Sequence, residues 1–518
     1  MPAIGSSIER MTQLACAGLV AAGLSLVASP ASAAEPPMGL DEARHLLNRA
    51  GFGATAAEIA ALAPRSRTQA VDQLLAGAQA RAQTPAPEWV DAPFVSLRQI
   101  RQLGEEGRRA ALAEQRRRAV DMRAWWLTEM LVTSSPLTER MTLFWHNHFV
   151  SSQDKVRANQ LMYRQNVLLR AHALGNFATL LHAVAKDPAM VVYLDSATNR
   201  KDRPNENFAR EVMELFTLGE GQYTEQDIRE AARAFTGWSI DPESGEFLFR
   251  RQAHDDGTKT VLGRTGAFDG DAVLDVLLAH PRTAEYITSK LWREFVSPTP
   301  EPSEVARIAA AFRSSGYQIK VALRELLLAP AFWSPEQRGV LVKSPVDLVV
   351  GTVRQLNVEV PDAIALVQVT AGLGQNLFAP PNVKGWPGGE VWINSNSLLG
   401  RKQFLERVVR GAAPRDPVMR DRQSMNEAHS PPAERPVRDA GAKKGARVPP
   451  EMRERFVRAV SGMQFDSLRW QQDLERVPGL TAERLLLSAA PVNTLPAGGM
   501  APRDVLKGLL FDPMFQLK

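Results

Sequence analysis

The run Asn205–Gly221, NENFAREVMELFTLGEG, gathers side chains that do acid and base chemistry: four carboxylates, two amides and a guanidinium. Read as a helix turning about 100° per residue, it projects Asn207, Glu211 and Glu214 in nearly one direction, flanked by Arg210. Phe208, Val212, Leu215 and Phe216 face the other way. On such a face Glu211 and Glu214 can serve as general acid and base, with Asn207 holding a substrate hydroxyl and Arg210 adjusting the charge. Glycoside hydrolysis also uses paired carboxylates, although it usually draws them from separate elements at a controlled separation. The same residues equally make a polar helix face in which Arg210 pairs with Glu214 at i, i+4.

Other candidates are dispersed along the chain. In His146-Asn147-His148 the imidazoles stand two residues apart and diverge by about 200° on a helix, so they meet one ion only if the helix ends there. Neither HExxH nor a cysteine-rich pattern is present, and no metal ligand set is assigned. His148 therefore enters as a catalytic candidate or as a histidine packed beside Phe144, Trp145 and Phe149. His254 can form a proton-transfer pair with Asp255, with Lys259 nearby as a binding residue, or Asp255-Asp256-Gly257 can simply make a turn. Arg49 shares a helix face with His45 and can bind an anion or form a salt bridge. Trp386 and Trp392 sit in a Gly/Pro-rich run, as a sugar-stacking platform or as anchors of a loop. No Gly-rich phosphate loop follows a strand and no GxSxG elbow occurs, so nucleotide-dependent and serine-hydrolase readings drop out. No cofactor is indicated.

These residues must be positioned by helices. Apolar periodicity and capping signals predict a mainly α protein, a multi-helical globular domain with one small β-hairpin and a long disordered insertion near the C-terminus. Asp41 is the expected N-cap of a first helix and Thr55 of a second, while Thr224-Glu225-Gln226-Asp227 has the capping-box form. The hairpin is expected over Glu246–Gly263, pairing Phe247-Leu248-Phe249 with Thr260-Val261-Leu262 across Asp255-Asp256-Gly257. The expected organisation is a signal segment over 1–33, a helical main domain over 34–411, a disordered linker or insertion over 412–448, and a helical segment over 449–518 that docks on the main domain.

The signal reading rests on Arg10, the apolar run Leu14–Val27 and the cleavage pattern Ala31-Ser32-Ala33. Cys16, the only cysteine, lies within it, so the mature chain is expected to hold no thiol and to be periplasmic or secreted. The net charge of +5 suggests a nucleic-acid partner only at first sight. Eight Lys/Arg against five Asp/Glu between Gly411 and Pro450 account for more than half of it. The arginines at 108, 109, 116, 117, 118 and 123 are interleaved with acids and read as a solvated face. A phosphate footprint needs a concentrated stripe, so no nucleic acid is expected.

Several long motifs resemble, in collinear order, the bacterial family known as domain of unknown function 1800. They are ARHLLNRAGFGA (43–54), LTERMTLFWHNHFVSS (137–152), the 205–221 run, ARAFTGWSI (232–240), HDDGTKTVLG (254–263), RGVLVKSPVDLVVG (338–351) and LFAPPNVKGWPGGEVWIN (377–394). The resemblance implies a secreted, mostly helical protein without an established activity. It also implies a partner, the co-encoded domain of unknown function 1501 family, whose members look like relatives of sulfatases and alkaline phosphatases. The expected role is that of an accessory or binding protein of the envelope or of an extracellular polymer. The alternative is a hydrolase or lyase with a carboxylate and histidine site.

Overall fold

Helix starts along this chain follow the groups that satisfy the orphan N–H donors of a first turn. The computed structural model describes residues 35–410, 450–494 and 501–518, so the expected signal segment and the expected insertion lie outside the described residues. Thr55 and Glu58 close a reciprocal capping box, and Thr224 and Asp227 close another. Asp41 is not a cap. The first helix begins earlier, at Gly39, because the N–H groups of Met38 and Gly39 donate to Arg65 O and Ala63 O, which leaves the Asp41 carboxylate to pair with Arg484 at 2.9 Å.

Among the described residues the fold is built from helices, with four three-residue strands in two antiparallel pairs. Pro37–Lys518 forms one unit. Its centre is the helix Pro136–His148, buried on nearly every side although it carries Glu139, Arg140, His146 and His148. Glu139 on that helix accepts from Arg170 at 2.5 and 2.9 Å and from the Trp126 indole at 2.8 Å, so a fully buried carboxylate is satisfied on both oxygens. The long helix Glu105–Val132 divides in character. Its N-terminal half is solvated and crossed by ion pairs, whereas Met122, Trp126, Leu127 and Met130 are fully buried. Arg123 departs from the solvated-face reading: it is buried and donates to Leu377 O and Gln153 Oε1.

The described C-terminal residues pack against the same body. Trp470 donates to Gln355 O at 2.8 Å, and Lys518 exchanges backbone hydrogen bonds with Leu341. The Lys518 ammonium reaches Asp347 at 3.0 Å, beside Arg140. Burial pushes the Asp347 carboxyl up, but Arg140 and Lys518 outweigh it and hold Asp347 well below the usual carboxylate range.

The β structure differs from expectation. Strands β1 (Trp238–Ile240) and β2 (Phe247–Phe249) pair with each other, and β3 (Lys259–Val261) pairs with β4 (Arg264–Gly266). Asp255-Asp256-Gly257 is thus a local turn between two hairpins, closed by Gly257 N donating to Asp255 Oδ1 at 2.8 Å. The β3–β4 turn is Leu262-Gly263, with φ of 49° and 74°, the two positive values that a type I′ turn requires. Leu262 holds this rare conformation with its N–H bonded to Asp227 at 2.7 Å. No helix among the described residues is long and apolar enough to cross a membrane.

Candidate functional site

The 205–221 run does not continue as one α-helix. Asn207–Glu211 is α-helical, and Val212–Thr217 is a π-helix whose wider turn is marked by Leu218 N donating to Met213 O at 2.8 Å. The transition shifts everything beyond Val212 relative to the α register, so the expected Arg210–Glu214 pair does not form. Arg210 instead grips Glu225 at 2.8 and 2.9 Å and Glu206 at 3.2 Å.

Beneath the π-turn lies its lock. His148 is buried, and Nε2 donates to Phe216 O at 3.1 Å while Nδ1 accepts from the Lys290 ammonium at 2.9 Å. A carbonyl only accepts, so this geometry requires a neutral ring protonated on Nε2. Burial and then the neighbouring Lys290 drive the His148 pKa well below its usual value, which agrees with that tautomer. Burial, reinforced by Arg293, pulls Lys290 down to about 8.

Above the turn, Glu211 and Glu214 share a partly exposed face. Burial, then the charge of Glu214, pushes the Glu211 carboxyl up, with Arg210 and Lys384 opposing. Glu214 accepts from the Tyr223 hydroxyl at 2.8 Å, and Lys384 stands 4.0 Å from it and 2.9 Å from Glu220. Lys384 is carried here by the 377–394 segment, which docks through Asn147: its Oδ1 accepts from Trp386 N at 2.7 Å. Gly385 has φ of 84°, and a Cβ there would collide with Asn147 Oδ1. Only glycine permits that approach. The amide of the His-Asn-His run, rather than its imidazoles, therefore positions the loop.

The family comparison now bears on a defined geometry. The model of the family described as Protein of unknown function (DUF1800) matches residues 45–516, from the first helix through the last. The chain belongs to this family. No curated protein and no solved structure matches it. The family match embraces the π-turn, its His148–Lys290 lock and the Lys384 loop, so this arrangement lies within the family domain.

The remaining predicted site residues lie elsewhere or are already engaged. Asn207 donates to Leu194 O at 3.1 Å, fastening the preceding helix end. His254 is bonded to Thr236 O at 2.9 Å, and Asp255 pairs with Arg233, not with the imidazole. Arg233 and Glu225 stand eight residues apart on the helix Glu225–Ala234, about 12 Å along the axis, so the His254 turn and the Arg210 pair mark different ends of one helix. Lys259 is buried and donates to Asp255 O and Gly257 O at 2.5 and 2.8 Å, stabilising the turn. Arg49 is fully buried and donates to Phe295 O at 2.9 Å, Val296 O at 2.8 Å and Gln337 O, which satisfies a helix C-terminus. Trp386 and Trp392 are 5% and 7% exposed and anchor their loop with no open stacking face. His146 packs among Trp126, Phe378 and Trp386 while His148 faces Phe149 and Phe216, as the divergence of i and i+2 requires.

Tyr223, Lys290 and Lys384 were missed at the sequence level. Lys384 lay inside a recognised motif, and its Lys-Gly-Trp spacing is the signal that could have found it. Lys290 sits on a helix with no local pattern to single it out.

Proposed function

We propose that the protein is a secreted accessory protein that binds an extracellular polymer or an envelope partner and does no chemistry on it. The observation that carries this reading is the engagement of the histidine and amide candidates. His148 bonds through both ring nitrogens to a backbone carbonyl and a neighbouring lysine, while the Asn207 amide N–H and His254 Nδ1 each bond a backbone carbonyl. A catalytic set needs such groups directed at one reacting centre. Here they instead fix a π-turn, a helix end and the turn between two hairpins.

The alternative, a hydrolase or lyase, draws on one observation. Glu211 is a half-buried carboxyl raised beside a second carboxylate, the environment of a general acid. Glu214, its required partner, is held by Tyr223 and faced by Lys384. One experiment separates the two readings. The mature chain is sedimented with isolated envelope material and with insoluble extracellular polysaccharides, and released fragments are measured in the supernatant. Retention without fragments is expected; release that Glu211→Gln abolishes would establish the enzyme instead. Export is tested on the envelope fraction by mass spectrometry, where the chain is expected to begin at Ala34.

A further inference from the structure

A wide open cleft lies away from the π-turn, and its lining says what it can hold. It encloses about 820 Å³, at the upper part of the range for ligand sites, and runs between the segment Thr84–Trp89, the helix Glu105–Val132 and Pro361–Ala363. Its floor is a continuous chain of ion pairs. Arg118 holds Glu114 at 2.7 Å, Arg117 holds Glu114 at 2.8 Å and Asp121 at 3.0 Å, and Arg455 holds Asp121 at 2.6 Å and Asp362 at 2.7 Å.

Two features define the ligand chemistry. Every guanidinium in the floor is already matched by a carboxylate, so a polyanion or polycation would have to break a pair to gain one. The floor nevertheless keeps fixed donors and acceptors at its edges. The wall residues Trp89, 7% exposed, and Thr84 each carry a buried polar atom that the protein leaves unbonded, the indole N–H and the hydroxyl, which a ligand reaches through a small shift of the wall. Thr84 is itself held in place, its N–H donating to the buried Glu129 at 2.7 Å and its carbonyl accepting from Trp125 at 3.3 Å. Pro85, Pro87 and Pro361 supply apolar surface between these polar points.

A neutral polyhydroxylated chain meets all of these demands. Its hydroxyls both donate and accept, its C–H faces suit proline, and an open cleft admits a polymer from the side. An extended peptide would instead seek a strand edge or side-chain pockets. The four strands of the described residues lie between Trp238 and Gly266, outside the cleft lining. We infer that this cleft is a binding site for a neutral glycan chain, an assignment that rests on the binding-protein reading and gives it a location.

The test uses the mature full-length chain, calorimetric titration and neutral hexasaccharides of glucose, xylose and N-acetylglucosamine, with a proline-rich decapeptide as the rival ligand. At least one hexasaccharide is expected to bind, with Trp89→Phe and Thr84→Val each weakening it about threefold to tenfold, the worth of one hydrogen bond. Thr84→Val preserves shape and covers the case in which Trp89→Phe does not fold. Binding of a hexasaccharide with unchanged affinity in both variants overturns the cleft while leaving the binding-protein reading intact. Binding of the peptide alone overturns the glycan. No binding of any hexasaccharide, in a protein that still sediments with polymer, overturns the neutral-glycan assignment; no sedimentation either overturns both readings.

Discussion

The π-turn and the Trp89 cleft spend similar side chains in opposite ways. At the π-turn, His148, Lys290, Asn147 and Asn207 direct their polar atoms inward to carbonyls, to one another or to a backbone N–H. At the cleft, ion pairs neutralise the floor, and an indole N–H and a hydroxyl remain unbonded in the wall. The difference teaches that residue type alone does not mark a site. A histidine beside a lysine can be a bolt, and a row of exposed ion pairs can be a recognition floor. Perturbing the first region should therefore change stability, and perturbing the second should chiefly change binding.

The largest effect is expected from His148→Leu. It strands Phe216 O and the Lys290 ammonium, each at about 1–3 kcal/mol and more for the charge, for a loss of roughly 2–5 kcal/mol in chemical denaturation. A loss below 1 kcal/mol would mean that the π-turn is not locked from beneath.

Lys290 gives the pH dependence. Its folded pKa, about 8, lies below the ordinary 10.5, so between these values the unfolded chain binds more protons and stability rises with pH. Relative to Lys290→Met, the wild type should gain roughly 3 kcal/mol across that window, and the gain is lost as pH falls through 8. A flat difference between the two proteins would show that Lys290 is not buried against His148.

Gly385→Ala tests the loop. The positive φ and the collision with Asn147 should together cost about 1–3 kcal/mol. They should also free Lys384 from Glu220, visible as increased hydrogen exchange over 377–394. Smallest is Thr84→Val, with a melting temperature near the wild type and glycan affinity reduced about threefold to tenfold; Trp89→Phe carries the same loss of affinity and a further loss of stability from the space it leaves in the core.

How much of this was legible in the sequence depended on the range of the interaction. The capping boxes at Thr55 and Thr224 were readable because three residues close them. The helical class followed from apolar period, and the family from collinear motifs. The Asp41 cap failed because distant carbonyls at Ala63 and Arg65 took over its role. The hairpin pairing failed because Asp255-Asp256-Gly257 has the composition of a hairpin turn, while Leu262-Gly263 does not look like one. The π-turn was invisible to a period of 3.6, since a local widening of the helix leaves the apolar residues in place. In the site, Glu211 and Glu214 were found on a common face, yet the inward engagement of His148 and Asn207 depends on partners 68, 142 and 13 residues away. The cleft had no local signal, because Arg117 and Arg118 look like any solvated pair until Asp362 and Arg455 arrive from the far end of the chain.

The most direct test is a hydrogen-exchange footprint of the mature chain with and without a saturating neutral hexasaccharide. Protection is expected in 84–89, 114–128 and 361–363, with 205–223 unchanged. Protection confined to 205–223 would contradict the account and return the binding site to the π-turn.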